Sequence, residues 1–278
     1  MPGELDGKVA FVTGAARGQG RAHALRLAQA GCDIVAVDIC AQIDGVEYPM
    51  SVPADLAETA KLVEALGGRI VTGIADVRDA SALRAVHEDG LAEFGRLDFV
   101  IANAGVMPIF GAASNTVAIW QLCLDVLLTG VLHTLETTYP QLVDQGDGGS
   151  IVITGSMAAL QPMMRTEGRH TYGMLGYAAA KAALCNLSRN YASFLAVHRI
   201  RVNTLHPTGV NTPMVTNDMV SNYFARAQPE EVNMSAHAIP VQLLEPEDVA
   251  NAVLWLCSDE SSYYTGNDLR LDAGASLR

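Results

Sequence analysis

Charge is scarce in this sequence, and what there is has the wrong sign for a nucleic-acid surface. Only 17% of the 278 residues are charged against 50% hydrophobic, which excludes a disordered chain and suits a globule with thick buried layers. The 18 basic residues are outnumbered by 30 acidic ones, so a broad phosphate-backbone interface is not expected. Cysteine offers no framework either: Cys32, Cys40, Cys123, Cys185 and Cys257 are odd in number, widely spaced and without a CxxC, which suits small buried side chains in a reducing compartment. No HxxxH or HExxH occurs among the histidines, arguing against a catalytic metal. The first residues lack a basic segment followed by an apolar one, and no uninterrupted apolar window of membrane-spanning length is apparent. The expectation is a soluble, cytoplasmic protein with no nucleic-acid or membrane partner.

What is present is alternation. Apolar strand-like runs at Val9–Val12, Asp33–Val37, Ile70–Ile74, Phe99–Ala102, Ser150–Ile153, Arg201–Leu205 and Asp268–Leu271 are separated by helical patterns such as Gly20–Ala30, Ala80–Phe94, Val117–Tyr139, Gly176–Val197 and Pro246–Leu256. That order predicts an α/β fold, one Rossmann-type doubly wound domain over residues 1–278 with a seven-stranded parallel sheet flanked by helices. No Pro-, Gly- or Ser-rich linker divides it. Residues 39–52 and 157–175 are longer than minimal connections, and 207–240 reads as an irregular, Met-bearing stretch over a substrate region. Long loops at the carboxyl ends of parallel strands are where such sheets bind ligands.

After the first strand comes Thr13-Gly14-Ala15-Ala16-Arg17-Gly18-Gln19-Gly20, followed at once by a helical run. Glycines let the backbone turn tightly and approach a pyrophosphate, whose charge the amides of the helix N-terminus stabilise. Asp38 ends the second strand, where a carboxylate accepts from the adenosine ribose hydroxyls and repels a 2′-phosphate. Arg17 could assist a phosphate, but Asp38 weighs more, and NAD is expected over NADP. Asp76-Val77 after the third strand and Asn103-Ala104-Gly105 after the fourth fall on the same edge. There Asp76 can meet the adenine amine and the Asn103 segment can line the adenine and ribose.

The chemical clue is Tyr177 and Lys181, four apart at the head of an alanine-rich helix. Residues at that spacing share a face, so an ammonium can favour ionisation of a phenol whose pKa is otherwise ~10. Many helices carry such a pair for packing alone. Its company decides.

Thr13-Gly14-x3-Gly18-x-Gly20, Asn103-Ala104-Gly105, Ser156 and Tyr177-x3-Lys181 together resemble the classical short-chain dehydrogenase/reductase family over nearly the whole chain. The resemblance implies Ser156, Tyr177 and Lys181 as catalytic residues, with Ser156 steadying the substrate oxygen, Tyr177 exchanging its proton, and Lys181 lowering the Tyr177 pKa and holding the nicotinamide ribose. It implies a homotetramer and a cofactor site formed by Gly14, Arg17, Gly18, Gln19, Gly20, Asp38, Ile39, Asp76, Val77, Asn103, Ala104, Gly105, Tyr177, Lys181, Pro207, Gly209, Val210 and Thr212. His206-Pro207-Thr208-Gly209 resembles the family's segment at the nicotinamide end, with Thr212 near the carboxamide or diphosphate.

Two features depart from the pattern. Leu127, in Asp125-Val126-Leu127-Leu128-Thr129-Gly130, stands where the family usually has an Asn whose carbonyl holds a relay water. Ser156 and Tyr177 are also more widely spaced than usual, and the added Gln161-Pro162-Met163-Met164-Arg165 should overhang the site. With Val37-Asp38-Ile39-Cys40 and the long segment after it, the chain resembles the mycofactocin-associated, carveol dehydrogenase-like subgroup. That implies a tightly held, non-exchanging NAD and mycofactocin as external electron acceptor.

The expected activity is interconversion of an apolar secondary alcohol, such as a cyclic terpenoid, and its ketone. Freely exchanging NAD with a sugar or acyl substrate is the nearest alternative, and a nucleotide-sensing protein without turnover is a more distant one. Met163, Met164, Met174, Met214, Met219 and Met234 suit an adaptable apolar pocket or equally core and interface packing. His206 is assigned packing or hydrogen bonding, and Arg165, Glu167, Arg169 and His170 a solvated loop.

Overall fold

The computed structural model describes residues 3–163, 170–225 and 237–277. Met164, Arg165, Glu167, Arg169 and Met234, named above, lie outside the described residues. Seven parallel strands, β1 (Val9–Thr13), β2 (Asp33–Asp38), β3 (Ile70–Ile74), β4 (Phe99–Ala102), β5 (Gly149–Thr154), β6 (Ile200–Pro207) and β7 (Asp268–Leu271), run in the order β3-β2-β1-β4-β5-β6-β7. Each strand lies within two residues of its sequence-predicted span at either end. The order reverses between β1 and β4, and the carboxyl ends there open the crevice expected of a doubly wound sheet.

Alternate residues of a strand point to opposite faces, and both faces are buried here. Phe11, Val35, Val100 and Ile151 join one core; Val12, Ile34, Ile101 and Val152 join the other. The first core is closed by α3 (Ala80–Phe94), α4 (Val117–Leu124), α5 (Gly130–Gln145) and α6 (Tyr172–Leu195), through side chains such as Leu83, Ile119, Leu135 and Leu184. The second is closed by α1 (Gly18–Gln29), α2 (Pro53–Ala65) and α8 (Pro246–Cys257), through Leu27, Val63 and Val253. The helix boundaries follow local chemistry. Asp79 caps α3 by accepting from the Ser81 and Ala82 amides, and Gly95 ends it in the left-handed region at φ 73°. Pro53 and Pro246 start α2 and α8 where a missing N–H costs nothing.

Three expectations change. Helix α6 begins at Tyr172 rather than Gly176, because Thr171 caps it by accepting from the Met174 amide. The irregular stretch 207–240 contains a short helix, α7 (Asp218–Ala225). The apolar run from Val117 is longer than its pattern suggested, reaching Gln145 through a π-helical turn at Asp125–Thr129. Val117–Gln145 is long and apolar enough by length and composition to cross a membrane, but here it packs against α3 and α6 as a core element.

Candidate active site

One cavity of about 590 Å3 runs along the carboxyl edge of the sheet, and every candidate site residue named from the sequence lines it. Its floor is the glycine turn between β1 and α1. Gly14 and Gly18 have φ of 68° and 55°, the left-handed region that glycine adopts without strain. Gly20 is required for another reason: a Cβ there would sit 2.0 Å from the Gly14 carbonyl oxygen. The N-cap residue of α1, Arg17, makes no side-chain capping hydrogen bond, and the Gln19 Oε1 is buried without a partner among the described residues. An uncapped twelve-residue helix behind a side-chain-free turn fits a dinucleotide pyrophosphate.

Asp38 is buried at the end of β2, and its carboxylate organises the turn. It accepts from the Ala16 amide at 3.0 Å, the Cys40 amide at 3.0 Å and the Ser51 hydroxyl at 2.6 Å. An ionised carboxylate has about four acceptor positions, so one remains for a ribose hydroxyl while the charge still opposes a phosphate. Cys40, with φ 47°, turns the chain into the long connection 39–52. That connection is a strap. Arg17 donates to the Pro49 carbonyl at 2.5 Å, Gln42 ties Val46 and Met50, the Met107 amide donates to the Tyr48 hydroxyl at 3.0 Å, and the Ala113 amide donates to Glu47 at 2.7 Å. Arg17 is thus engaged in holding the strap rather than free beside Asp38.

Asp76 and Asn103 line the cavity but spend their side chains elsewhere. The Arg78 guanidinium binds Asp76 at 2.5 to 3.0 Å; burial would raise the carboxyl, and this pairing holds it below its ordinary range. Asn103 donates to the Thr13 carbonyl at 3.0 Å and accepts from Thr154 at 3.2 Å, latching β1, β4 and β5 together at the crevice.

At the far end stand Ser156, Tyr177 and Lys181. Ser156 caps a short turn after β5 by accepting from the Ala158 amide at 3.1 Å, and its hydroxyl lies near enough to Tyr177 to favour the phenolate. Tyr177 and Lys181 are both buried on the inner face of α6. Lys181 donates to the Thr154 carbonyl at 2.5 Å, and its Nζ lies 5.9 Å from the Tyr177 ring centroid. Burial lowers the Lys181 amine to about 8. Burial pushes the Tyr177 phenol above its ordinary value, only partly offset by Ser156.

Leu127 is fully buried within the π-helical turn, and its side chain closes against Gly105, where a Cβ would meet it at 3.0 Å. Thr212 packs over Gly18, linking the segment after β6 to the glycine turn. Beyond them the cavity is largely apolar, walled by Met107, Phe110, Met163, Met174, Met214 and Tyr223, with Phe110 and Tyr223 stacked at 4.1 Å. Tyr48 and Ser51 line the cavity and were not singled out from the sequence, because nothing in the strap's spacing marks which side chains turn inward.

A doubly wound sheet with a glycine-turn cradle and a buried Ser-Tyr-Lys group beside an apolar chamber defines an oxidoreductase of the dinucleotide-binding class. The chain belongs to the short-chain dehydrogenase/reductase family. A family model described as enoyl-(acyl carrier protein) reductase matches residues 14–276. An oxidoreductase of Mycobacterium tuberculosis is 49% identical over 97% of this chain and 96% of its own. The (-)-trans-carveol dehydrogenase of Rhodococcus erythropolis is 39% identical over 99% of both chains. The crystal structure of carveol dehydrogenase from Mycobacterium avium in complex with NAD superposes with a TM-score of 0.91 at 43% identity, covering 99% of this chain and 100% of that one.

Proposed function

We propose that the chain is an NAD-dependent dehydrogenase that interconverts an apolar secondary alcohol, of the size of a monocyclic terpenoid, and its ketone. The observation that carries this is the meeting of Ser156, Tyr177 and Lys181 with the glycine-turn cradle in one cavity whose remaining wall is largely apolar. When bound, NAD accepts the hydride and brings a positive ring that favours the phenolate. Ser156 donates to the substrate oxygen and fixes it beside Tyr177. Tyr177 takes the hydroxyl proton in oxidation and returns it in reduction. Lys181 stabilises the phenolate form and binds ribose hydroxyls, with the Leu127 segment beside it.

Asp38 selects NAD by opposing a 2′-phosphate. The strap at 39–52, pinned through Arg17, Tyr48 and Glu47, supports a cofactor held too firmly to exchange freely, with electrons then passing to an external redox acceptor, mycofactocin in the subgroup the chain resembles. Exposed apolar side chains on the outer helices, Val117, Leu132 and Phe194 among them, support a homotetramer, which light scattering would measure directly.

Mass spectrometry of protein purified without added nucleotide tests the cofactor. The expected result is NAD, not NADP, surviving dialysis; a nucleotide-free protein turning over with dissolved NAD would contradict retention, and NADP would contradict the role of Asp38. Gly20→Ala should strain the turn by roughly 1–3 kcal/mol, which is about 5- to 150-fold in NAD affinity by titration.

A further inference from the structure

Behind Ser156 lies a buried group that the reaction itself does not use. His206, fully buried near the end of β6, places Nδ1 against both backbone groups of Ser156, 3.2 Å from its nitrogen and 2.9 Å from its carbonyl oxygen. Its Nε2 lies 3.1 Å from Asp268 Oδ1 on β7, and Arg189 on α6 pairs with the other oxygen of Asp268. The Cys185 sulfur lies 3.7 Å from the same Nε2. Thiol, imidazole and carboxylate lie within 4.8 Å of one another, a set that could ligate a metal, but the Arg189 pairing already balances the Asp268 charge.

Two features show that the ring's place is built. Pro207 has no N–H, so the β5–β6 ladder cannot continue past it, and the imidazole takes over where backbone pairing stops. Gly155 makes room: a Cβ there would lie 2.5 Å from His206 Nδ1 and 2.6 Å from Cε1. The ladder itself ends with the Gly155 amide donating to the Leu205 carbonyl at 2.7 Å. The next residue is Ser156, whose hydroxyl accepts from the Ala158 amide at 3.1 Å and lies beside Tyr177.

We propose that His206, oriented by Asp268 and Arg189, is a positioning residue that sets the backbone of Ser156 and through it the alignment of the Ser156 hydroxyl with Tyr177. The inference rests on the dehydrogenase reading above for its kinetic consequence, but not for its structural one. Loss of the imidazole frees the turn after β5 while the cofactor cradle, built on β1 and β2, is unchanged. Asn at 206 can present an amide where Nδ1 now lies, and retains part of the hold.

Two measurements decide it, with carveol as the alcohol and a dichlorophenol-indophenol dye as electron acceptor on the NAD-loaded enzyme. His206→Ala should lower kcat by about 10²-fold, as small misplacements of reacting groups do, and His206→Asn should recover much of that loss. In a Ser156→Ala background the same His206→Ala change should cost less than about threefold, because the group it positions is gone. Equal losses in both backgrounds, or no loss in His206→Ala, would overturn the proposal. Amide exchange by mass spectrometry needs no turnover: the peptide containing Ser156 should exchange about tenfold faster in His206→Ala while the Gly14–Gly20 peptide is unchanged. Unaltered exchange at Ser156 also sinks it. Faster exchange in a protein inactive toward secondary alcohols would uphold the positioning role and reject the dehydrogenase reading.

Discussion

Tyr177→Phe should leave the fold and the bound NAD intact and reduce turnover by roughly 10²- to 10⁴-fold, the range associated with a positioned acid or base. The substitution removes one oxygen from a buried ring, so little else changes. The loss should appear in kcat rather than KM, since the apolar wall that holds the substrate does not involve the phenol oxygen. The raised phenol value gives this prediction a sign in pH. At neutral pH Tyr177 holds its proton and is ready to protonate a ketone oxygen. Alcohol oxidation needs the phenolate, so its rate should climb toward alkaline pH. Steady-state profiles in both directions check this, and an oxidation rate independent of pH would contradict Tyr177 as the base.

Lys181→Met should lower kcat by about 10²- to 10³-fold, the usual consequence of deleting one charge-stabilising donor from a closed site, while making the nucleotide-free protein more stable at pH 7. Both effects come from the same burial. In the folded chain burial brings the amine down to about 8 from its ordinary 10.5, so the unfolded chain binds more protons between those limits. Stability of the nucleotide-free protein therefore rises with pH through that window, and below it the full cost of burying an ammonium is present. Removing the charge removes the cost and flattens the slope. Denaturant melts of parent and variant at pH 7 and near pH 10 measure both. A variant less stable than its parent at pH 7 would mean that the Thr154 hydrogen bond outweighs desolvation.

Most of the sheet was legible because buried parallel strands read as apolar runs between turn residues, and the helices between them carry their own stop signals. Helix α2 was not singled out, since Pro53 and the acidic residues after it resemble a continuing loop until Leu56 and Val63 are seen to meet the sheet. The glycine turn, Asp38 and the Ser156, Tyr177 and Lys181 group were visible as spacings tied to known chemistry. What each side chain binds was not. Asp76 pairs with Arg78 two residues away, Arg17 reaches across to Pro49, and Asn103 latches three strands; these are decided by tertiary neighbours, not by pattern. His206 shows the limit most plainly. A histidine before a proline carries no local signal, and its partners lie 50 and 62 positions away.

The central claim is that a secondary alcohol gives its hydride to NAD in this cavity while Tyr177 takes its proton. Rapid mixing of NAD-loaded protein with carveol, following the absorbance of reduced nicotinamide, tests both halves together. The account predicts a single rise amounting to one reduced cofactor per subunit, lost in Tyr177→Phe despite equal NAD content. No rise across a panel of apolar secondary alcohols, or an undiminished rise in Tyr177→Phe, would contradict it.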